Sequence, residues 1–305
     1  MSPNMKSQHG IFDVDLFAKA SADANVNQTT SPFLIAVSGD PQRTKHYTAQ
    51  EQPQFFADLA TYNIPNNPTT TCWVDIDFSV LTEHQYNQLC QLLQMHAVTK
   101  RDCFVEDVSV TDTKISNFIK YSFCIVDTLV HSSITSMDST ESMDSTESMN
   151  SVETRNLNVI KYNQCVVSLH RGAMPGPSEM YTRIVDHHRN KIPSVEWIQW
   201  CAFDCLLGSL IPHIDQIVQD VEEIDQQSIP VDPNTKLNQS EILRNISMAR
   251  KKLRKLTSSL SSKIEVLSVI IQQTKSKSQN ILVHLLAVES EVKWKIARVK
   301  ATSET

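Results

Sequence analysis

From Asn234 to Thr305 the chain contains neither glycine nor proline. Those residues most disfavour a helix interior, so their joint absence over so long a stretch points to helix. Apolar residues fall at Ile242, Ile246, Ala249, Leu253, Leu256, Leu260, Ile264, Leu267 and Ile271, and again at Ile281, Leu285, Val288 and Val292. Steps of three and four of this kind form a seam for a partner helix. Read as one helix of about 60 residues, the stretch would be about 90 Å long, too long to bury in a monomeric domain of this size. The sequence therefore predicts a stalk or a coiled coil.

A second seam precedes it. Trp200, Phe203, Leu207, Leu210, Ile214, Ile217, Val221 and Ile224 alternate in steps of three and four within 195–225. Ser194 stands where a hydroxyl caps a helix start, and Glu196 lies in the first turn. Pro212 predicts a kink about one turn before it. The stretch ends in Glu222, Glu223 and Asp225, where the helix dipole favours cations instead. The plain reading is a solvated face. The sharper one is an acidic patch that takes a cation. "SIPVDPNT" (228–235) separates the two seams, which are expected to form an antiparallel hairpin.

Upstream the signals change. "FLIAV" (33–37) reads as a short strand in a region otherwise low in order signals. "CWVDIDF" (72–78) alternates as a strand does, and "LTEHQYNQLCQLLQMH" (81–96) reads as a helix opened by a Thr82–Gln85 capping box. "KYSFCIVDTLV" (120–130) is a second strand. "RNLNVIKY" (155–162) and "CVVSLH" (165–170) make a hairpin around "NQ", followed by a loop at 171–178 and a helix at 179–192. Between them "SMDSTE SMDSTE SMNSVE" is a six-residue repeat, read as a disordered acidic insertion whose hydroxyls are open to phosphorylation.

The fold class expected is α+β, an N-terminal α/β sandwich domain followed by long antiparallel helices including a stalk helix. The divisions expected are a variable N-terminal segment (1–66), an α/β domain (67–193) with a disordered insertion at 132–154, and a helical hairpin with stalk (194–305).

Composition narrows the function. The formal net charge of −6 argues against a general nucleic-acid binder. The seven cysteines show no disulfide spacing, which suggests a reducing, intracellular setting. The N-terminus lacks the pattern of a secretory signal, and no run of about 18 apolar residues suggests a membrane helix, so the stretch reads as soluble. Neither a G-x-S-x-G elbow nor a glycine-rich phosphate loop occurs, so no enzyme is expected.

Three binding readings remain. Asp204, Asp215, Asp220, Glu222, Glu223 and Asp225 offer carboxylate oxygens, and Mg2+ needs only one or two carboxylates beside its waters. For Asp204, beside the seam, the simpler role is a buried polar partner. Cys201 and Cys205 share a helical face with His213 two turns on and His187 and His188 nearby, but a closed zinc set is missing. "ARKKLRKL" (249–256) reads either as the wet face of a helix or as a partner for acidic residues of a neighbouring copy.

Taken in order, these stretches resemble the cytoplasmic part of CorA-type magnesium transporters, and the fungal Alr-like branch in particular. "WVDID" (73–77) with "LTEHQYNQL" is similar to the family's first strand and helix. "MHAVTKRD" (95–102) resembles "IHPLTAED", keeping His96, Thr99 and Asp102. "KISNFIKYSF" (114–123) and "NVIKYNQCVVSLHRGAMPGP" (158–177) resemble the next strands and the loop after them. "PSVEWIQWCAFDCLLGSLIPHIDQIVQDVEEID" resembles the family's "S-P-E-W-I" helix with its acidic tail. Of that helix's "DDITD" element only the first acid remains, as Asp204, with Cys205 and Gly208 at two other acid positions. Arg101 replaces the Glu of "AED".

The resemblance implies a subunit of a funnel-shaped homo-pentamer whose Mg2+, or another divalent cation such as Co2+ or Ni2+, holds the pore closed. The metal candidates are Asp204, the acid that matches the family's motif, and Glu222, Glu223 and Asp225 at the acidic end of the helix. The family's Gly-Met-Asn signature and both membrane helices are absent here. The chain is thus expected to be a cytosolic, cation-sensing regulatory domain without its pore, joined to a membrane only through a missing C-terminal region. In an organelle it would face the equivalent interior side. The alternative is a soluble coiled-coil interaction or modifier protein that has lost transport and metal sensing.

Overall fold

The alternating stretch at 72–78 becomes a strand near the middle of a seven-stranded mixed sheet. The structure, a computed structural model, describes residues 32–37, 44–67, 69–104, 113–131, 152–187, 192–228, 239–275 and 278–304. The strands are β1 (Phe33–Val37), β2 (Lys45–Tyr47), β3 (Cys72–Asp77), β4 (Lys114–Asn117), β5 (Ser122–His131), β6 (Val152–Lys161) and β7 (Cys165–His170). Their spatial order is β2-β1-β3-β7-β6-β5-β4. All neighbours are antiparallel except β3 and β7, which run parallel from Cys72↔Cys165 to Asp77↔His170. Two antiparallel modules therefore meet along one parallel seam. The expected hairpin is β6–β7, with Tyr162 N donating to Cys165 O at 2.8 Å.

The sheet draws β1 and β2 from the stretch before residue 67, together with the helix α1 (Gln52–Tyr62). The sequence shows little of this because β2 spans only three residues and α1 buries only Phe55, Phe56 and Leu59. With α2 (Glu83–Leu92) and α3 (Ala97–Phe104), α1 covers one face of the sheet, over Phe33, Ile35, Val74, Ile76, Phe123 and Ile125. Leu34, Ala36, Trp73, Cys124, Val126, Leu157, Val159 and Val166 point the other way, as strand alternation requires. They meet α4 (Pro175–His187), α5 (Val195–Gly208), α6 (Ile211–Ser228), α7 (Gln239–Thr274) and α8 (Gln279–Glu304) in one continuous core.

Local sequence accounts for the helix boundaries. Thr82 and Gln85 form the expected capping box at α2, with Thr82 N donating to Gln85 Oε1 at 2.9 Å. Ser194 Oγ accepts from Trp197 N at 3.3 Å and caps α5. The kink expected before Pro212 is a break at Ser209–Leu210, with Pro212 in the first turn of α6 where its missing N–H is harmless. α4 begins at Pro175, inside the stretch expected to be a loop, because Pro175 and Pro177 fall in its first turn, where proline is tolerated.

The expectation of one long stalk helix is corrected. α7 and α8 are separate helices packed on each other. Between Ile271 and Ile281 the seam lapses into "QQTKSKSQN", so nothing apolar holds a continuous helix there. On either side most of the seam is buried, with Leu253, Leu256, Leu260 and Leu267 of α7 in the same core as Leu285, Val288 and Val292 of α8, while Ile242, Ile246 and Ile264 are partly buried. Of the acidic insertion, 132–151 lies outside the described residues, and its last positions, Val152–Thr154, open β6.

By length and composition Val195–Ile224 is apolar enough to cross a bilayer. It is instead two helices, with Phe203, Leu207, Leu210 and Ile214 buried against the sheet and the other helices. Cys72 and Cys165 face each other across the seam and are disulfide-bonded. Their spacing gave no sign of this, because only the parallel pairing brings residues 93 apart together.

Candidate functional site

The acids of α5 and α6 stand on one helical arm, and most are already engaged. Asp204 is ion-paired with Arg183 of α4, whose other nitrogen bonds Glu179 Oε1 at 2.7 Å. Gly176 brings the two helices together, since a Cβ there would meet Leu206 Cδ2 at 2.9 Å. Asp215 Oδ1 pairs with Arg298 of α8 at 2.9 Å. Asp220 Oδ2 pairs with Lys252 of α7 at 2.8 Å while its other oxygen accepts from Gln216 Nε2 at 2.9 Å. These pairs fasten α5 and α6 to α4, α8 and α7 in turn. The basic run thus supplies one partner to the acidic helix within the same chain.

Glu222 and Glu223 are exposed, with no ion pair among the described residues. The Asp225 side chain lies outside the described residues. The structure does not bring the four metal candidates together, as Asp204 belongs to α5 beside α4 and the others to the far turns of α6. Among the described residues no group of three or more His, Cys, Asp or Glu is arranged to hold a metal. Adjacent residues on a helix do not face each other, so Glu222 and Glu223 would need oxygens from another element or another copy to hold an ion.

The zinc reading gains no support. Cys201 and Cys205 lie 3.8 Å apart, sulfur to sulfur, and both are buried. The contact with Cys201 and then burial push the Cys205 thiol far above its ordinary value. His213 is buried on α6, and His188 lies outside the described residues.

Two polar networks were not foreseen. At the carboxyl ends of β3 and β7, His170 Nε2 lies 3.2 Å from Asp75 Oδ2, and its Nδ1 lies 2.8 Å from the Gly172 carbonyl oxygen. Ser168 donates to Asp75 and accepts from Trp73 Nε1 at 3.0 Å, while Gly172 N donates to Asp77 Oδ1 at 2.8 Å. Gly172 has a φ of 71°, so the turn there requires glycine. Burial alone would lower the His170 pKa, but the Asp75 charge and hydrogen bond, with Asp77 and Gly172, hold it above its ordinary value.

The second network ties the sheet to α7. Lys263, fully buried, places its ammonium 2.8 Å from Asp127 Oδ1 of β5 and 2.7 Å from Ser259 Oγ. Thr113 and Ser259 hydroxyls also donate to Asp127. Burial would raise the Asp127 carboxyl, but Lys263 and these hydrogen bonds hold it below its ordinary value. The hint for both networks lay in single polar residues inside apolar runs, Asp75 in "CWVDIDF" for the first and Asp127 in "CIVDTLV" for the second.

Comparison with known proteins follows this architecture. The family of CorA-like Mg2+ transporter proteins matches residues 69–301, from before β3 to near the end of α8. The chain belongs to that family. No curated protein matches it directly. Among solved structures, the soluble domain of CorA from Methanocaldococcus jannaschii superposes with a TM-score of 0.59 at 11% identity, over 88% of this chain and 92% of that one. The complete CorA magnesium transporter from the same organism gives 0.56 at 11% identity, over 77% of this chain and 66% of the transporter. The chain thus spans a little under two thirds of that protein's length. The full-length CmaX protein gives 0.60 at 11% identity, over 90% of this chain and 74% of that one. At these identities the likeness is one of fold, and the fold is the mixed sheet plus long helices of the CorA soluble domain.

Proposed function

We propose that this chain is the cytosolic, divalent-cation-sensing regulatory domain of a CorA-like Mg2+ channel subunit, and that its copies assemble as a homo-oligomer, a pentamer on the family pattern. The observation that carries the reading is the family match across both the sandwich and the helical arm, residues 69–301. Mg2+ is the ion proposed, with Co2+ or Ni2+ as substitutes. It would bridge copies through water and carboxylates, with the exposed Glu222 and Glu223 as the acids proposed and Asp225 next to them in sequence, because Asp204 is engaged by Arg183. An apolar stripe on α8, with Val283 66%, Leu286 42% and Trp294 60% exposed, supports contact between copies.

The test is light scattering with Mg2+ and with chelator, beside thermal melts of the same samples. Sensing requires a mass that falls, and a melt that comes earlier, when Mg2+ is removed. A second reading has an observation in its favour. Gly208 replaces a family acid although a side chain there would meet nothing within 4 Å, so packing does not demand the loss. A relative that has given up metal sensing and acts as an interaction or modifier protein would show mass and melt indifferent to Mg2+.

A further inference from the structure

Two sequence features find no use in metal sensing, the acidic repeat between β5 and β6 and the basic run on α7. The fold brings the strand ends that flank the repeat about level with the basic run. α7 runs antiparallel to β5 along the β4 side of the sheet. At one end Gln273 Nε2 donates to Asn117 Oδ1 at 3.1 Å, and Asn117 pairs with Ser122 at the start of β5. Further on, Lys263 and Ser259 reach Asp127 of the same strand.

At about 100° per residue, steps of four drift about 40° each, so the row from Lys263 and Ser259 through Lys255 to Lys251 turns from the buried side of α7 to its exposed side. From Asp127 to His131, where β5 ends, is about 13 Å at strand rise. From Ser259 to Lys251 is about 12 Å at helical rise. Measured along the helix and strand axes, the two lysines therefore stand about level with the place where the chain leaves the sheet at His131 and returns at Val152, its partner in register, and they do so on the exposed side of α7. Arg250 and Arg254 adjoin them. All four cations are exposed, and none makes an ion pair among the described residues. Their neighbour Lys252 is held by Asp220.

Residues 132–151 carry Asp138, Glu141, Asp144 and Glu147 and no lysine or arginine. Leaving and returning at one place, the segment reaches at most about 33 Å, half its extended length, which is ample to cover the cations. We propose that this acidic segment docks on the cationic face formed by Arg250, Lys251, Arg254 and Lys255, and so occupies within each chain a surface that would otherwise receive anionic partners. A single exposed pair contributes little, so docking rests on several charges acting together and weakens with salt. Phosphate on the hydroxyls of the repeat would strengthen it by adding negative charge. Nothing in this depends on metal sensing.

The test is zero-length carbodiimide cross-linking of an equal mixture of unlabelled and 15N-labelled full chain, read by mass spectrometry. The Asp220–Lys252 pair, at 2.8 Å, is the internal control. Docking predicts linked peptides joining 132–151 to Lys251 or Lys255, each of one isotopic kind. Their yield should fall at least about threefold between about 0.05 M and about 0.5 M salt, as the screening length shrinks. A control link without any link from the repeat to α7 overturns the proposal. Mixed light–heavy links overturn it too, by making a second copy the occupant, and so does a yield indifferent to salt.

Discussion

A buried ammonium needs its partner more than a surface one does. Lys263 and Asp127 complete each other in the core, and removing one leaves the other charged and unpaired. Lys263→Met should destabilise the chain by roughly 3–5 kcal/mol, and adding Asp127→Leu should recover part of that loss, since two apolar groups leave no orphan charge. Urea unfolding of the single and double variants checks both statements. The His170–Asp75 pair carries a pH signature. The His170 pKa is raised on folding, so its contribution is fully present below the unfolded value of 6.5 and is lost as pH rises through the folded value above it. Thermal midpoints between about pH 6 and about pH 8.5 should therefore fall further for the native chain than for Asp75→Asn, which lacks the charge that raises the His170 pKa. A larger fall in the variant would contradict the assignment.

At the scale of elements, helices were more legible than their joints. From Phe203 to Ile217 and from Leu253 to Val292 the seams named core positions, because period and burial are one physical fact on a helix, while their outer ends at Ile224, Ile242 and Ile246 are only partly buried. The α7–α8 break was missed because the absence of glycine and proline permits a helix without compelling one; the lapse of apolar residues after Ile271 decides it. α1 and β2 were missed because short elements carry too few residues for a period to show. The acidic helix was read correctly as acidic, but sequence gave no view of the cations from three other helices that engage Asp204, Asp215 and Asp220. Gly208 makes a separate point. It ends α5 with open space around its Cα, so Gly208→Ala should stabilise the chain by about 0.5–1 kcal/mol through lower backbone entropy in the unfolded state. Chemical denaturation would read the gain, and a loss would mean that the helix end needs a freedom alanine lacks.

For the whole molecule, the exposed stripe of α8 is the surface with most at stake. Trp294→Asp changes a residue 60% exposed, so the single chain should keep its stability within about 0.5 kcal/mol. If copies associate along α8, the same change should lower the mass seen by light scattering, and an unchanged assembly would place the contact elsewhere. The parallel seam has a consequence for how the protein is made. Each antiparallel module joins strands close in sequence and is free to pair as it leaves the ribosome. The seam joins Cys72 to Cys165, 93 residues later, so β3 must wait for the second module. Non-local pairing of that kind is slow to form. Until it forms, one side of β3 is an open edge, and open edges recruit other chains. A nascent chain that stalls before Cys165 would present that edge to its neighbours, making the middle of the finished sheet the most adhesive part of the unfinished one.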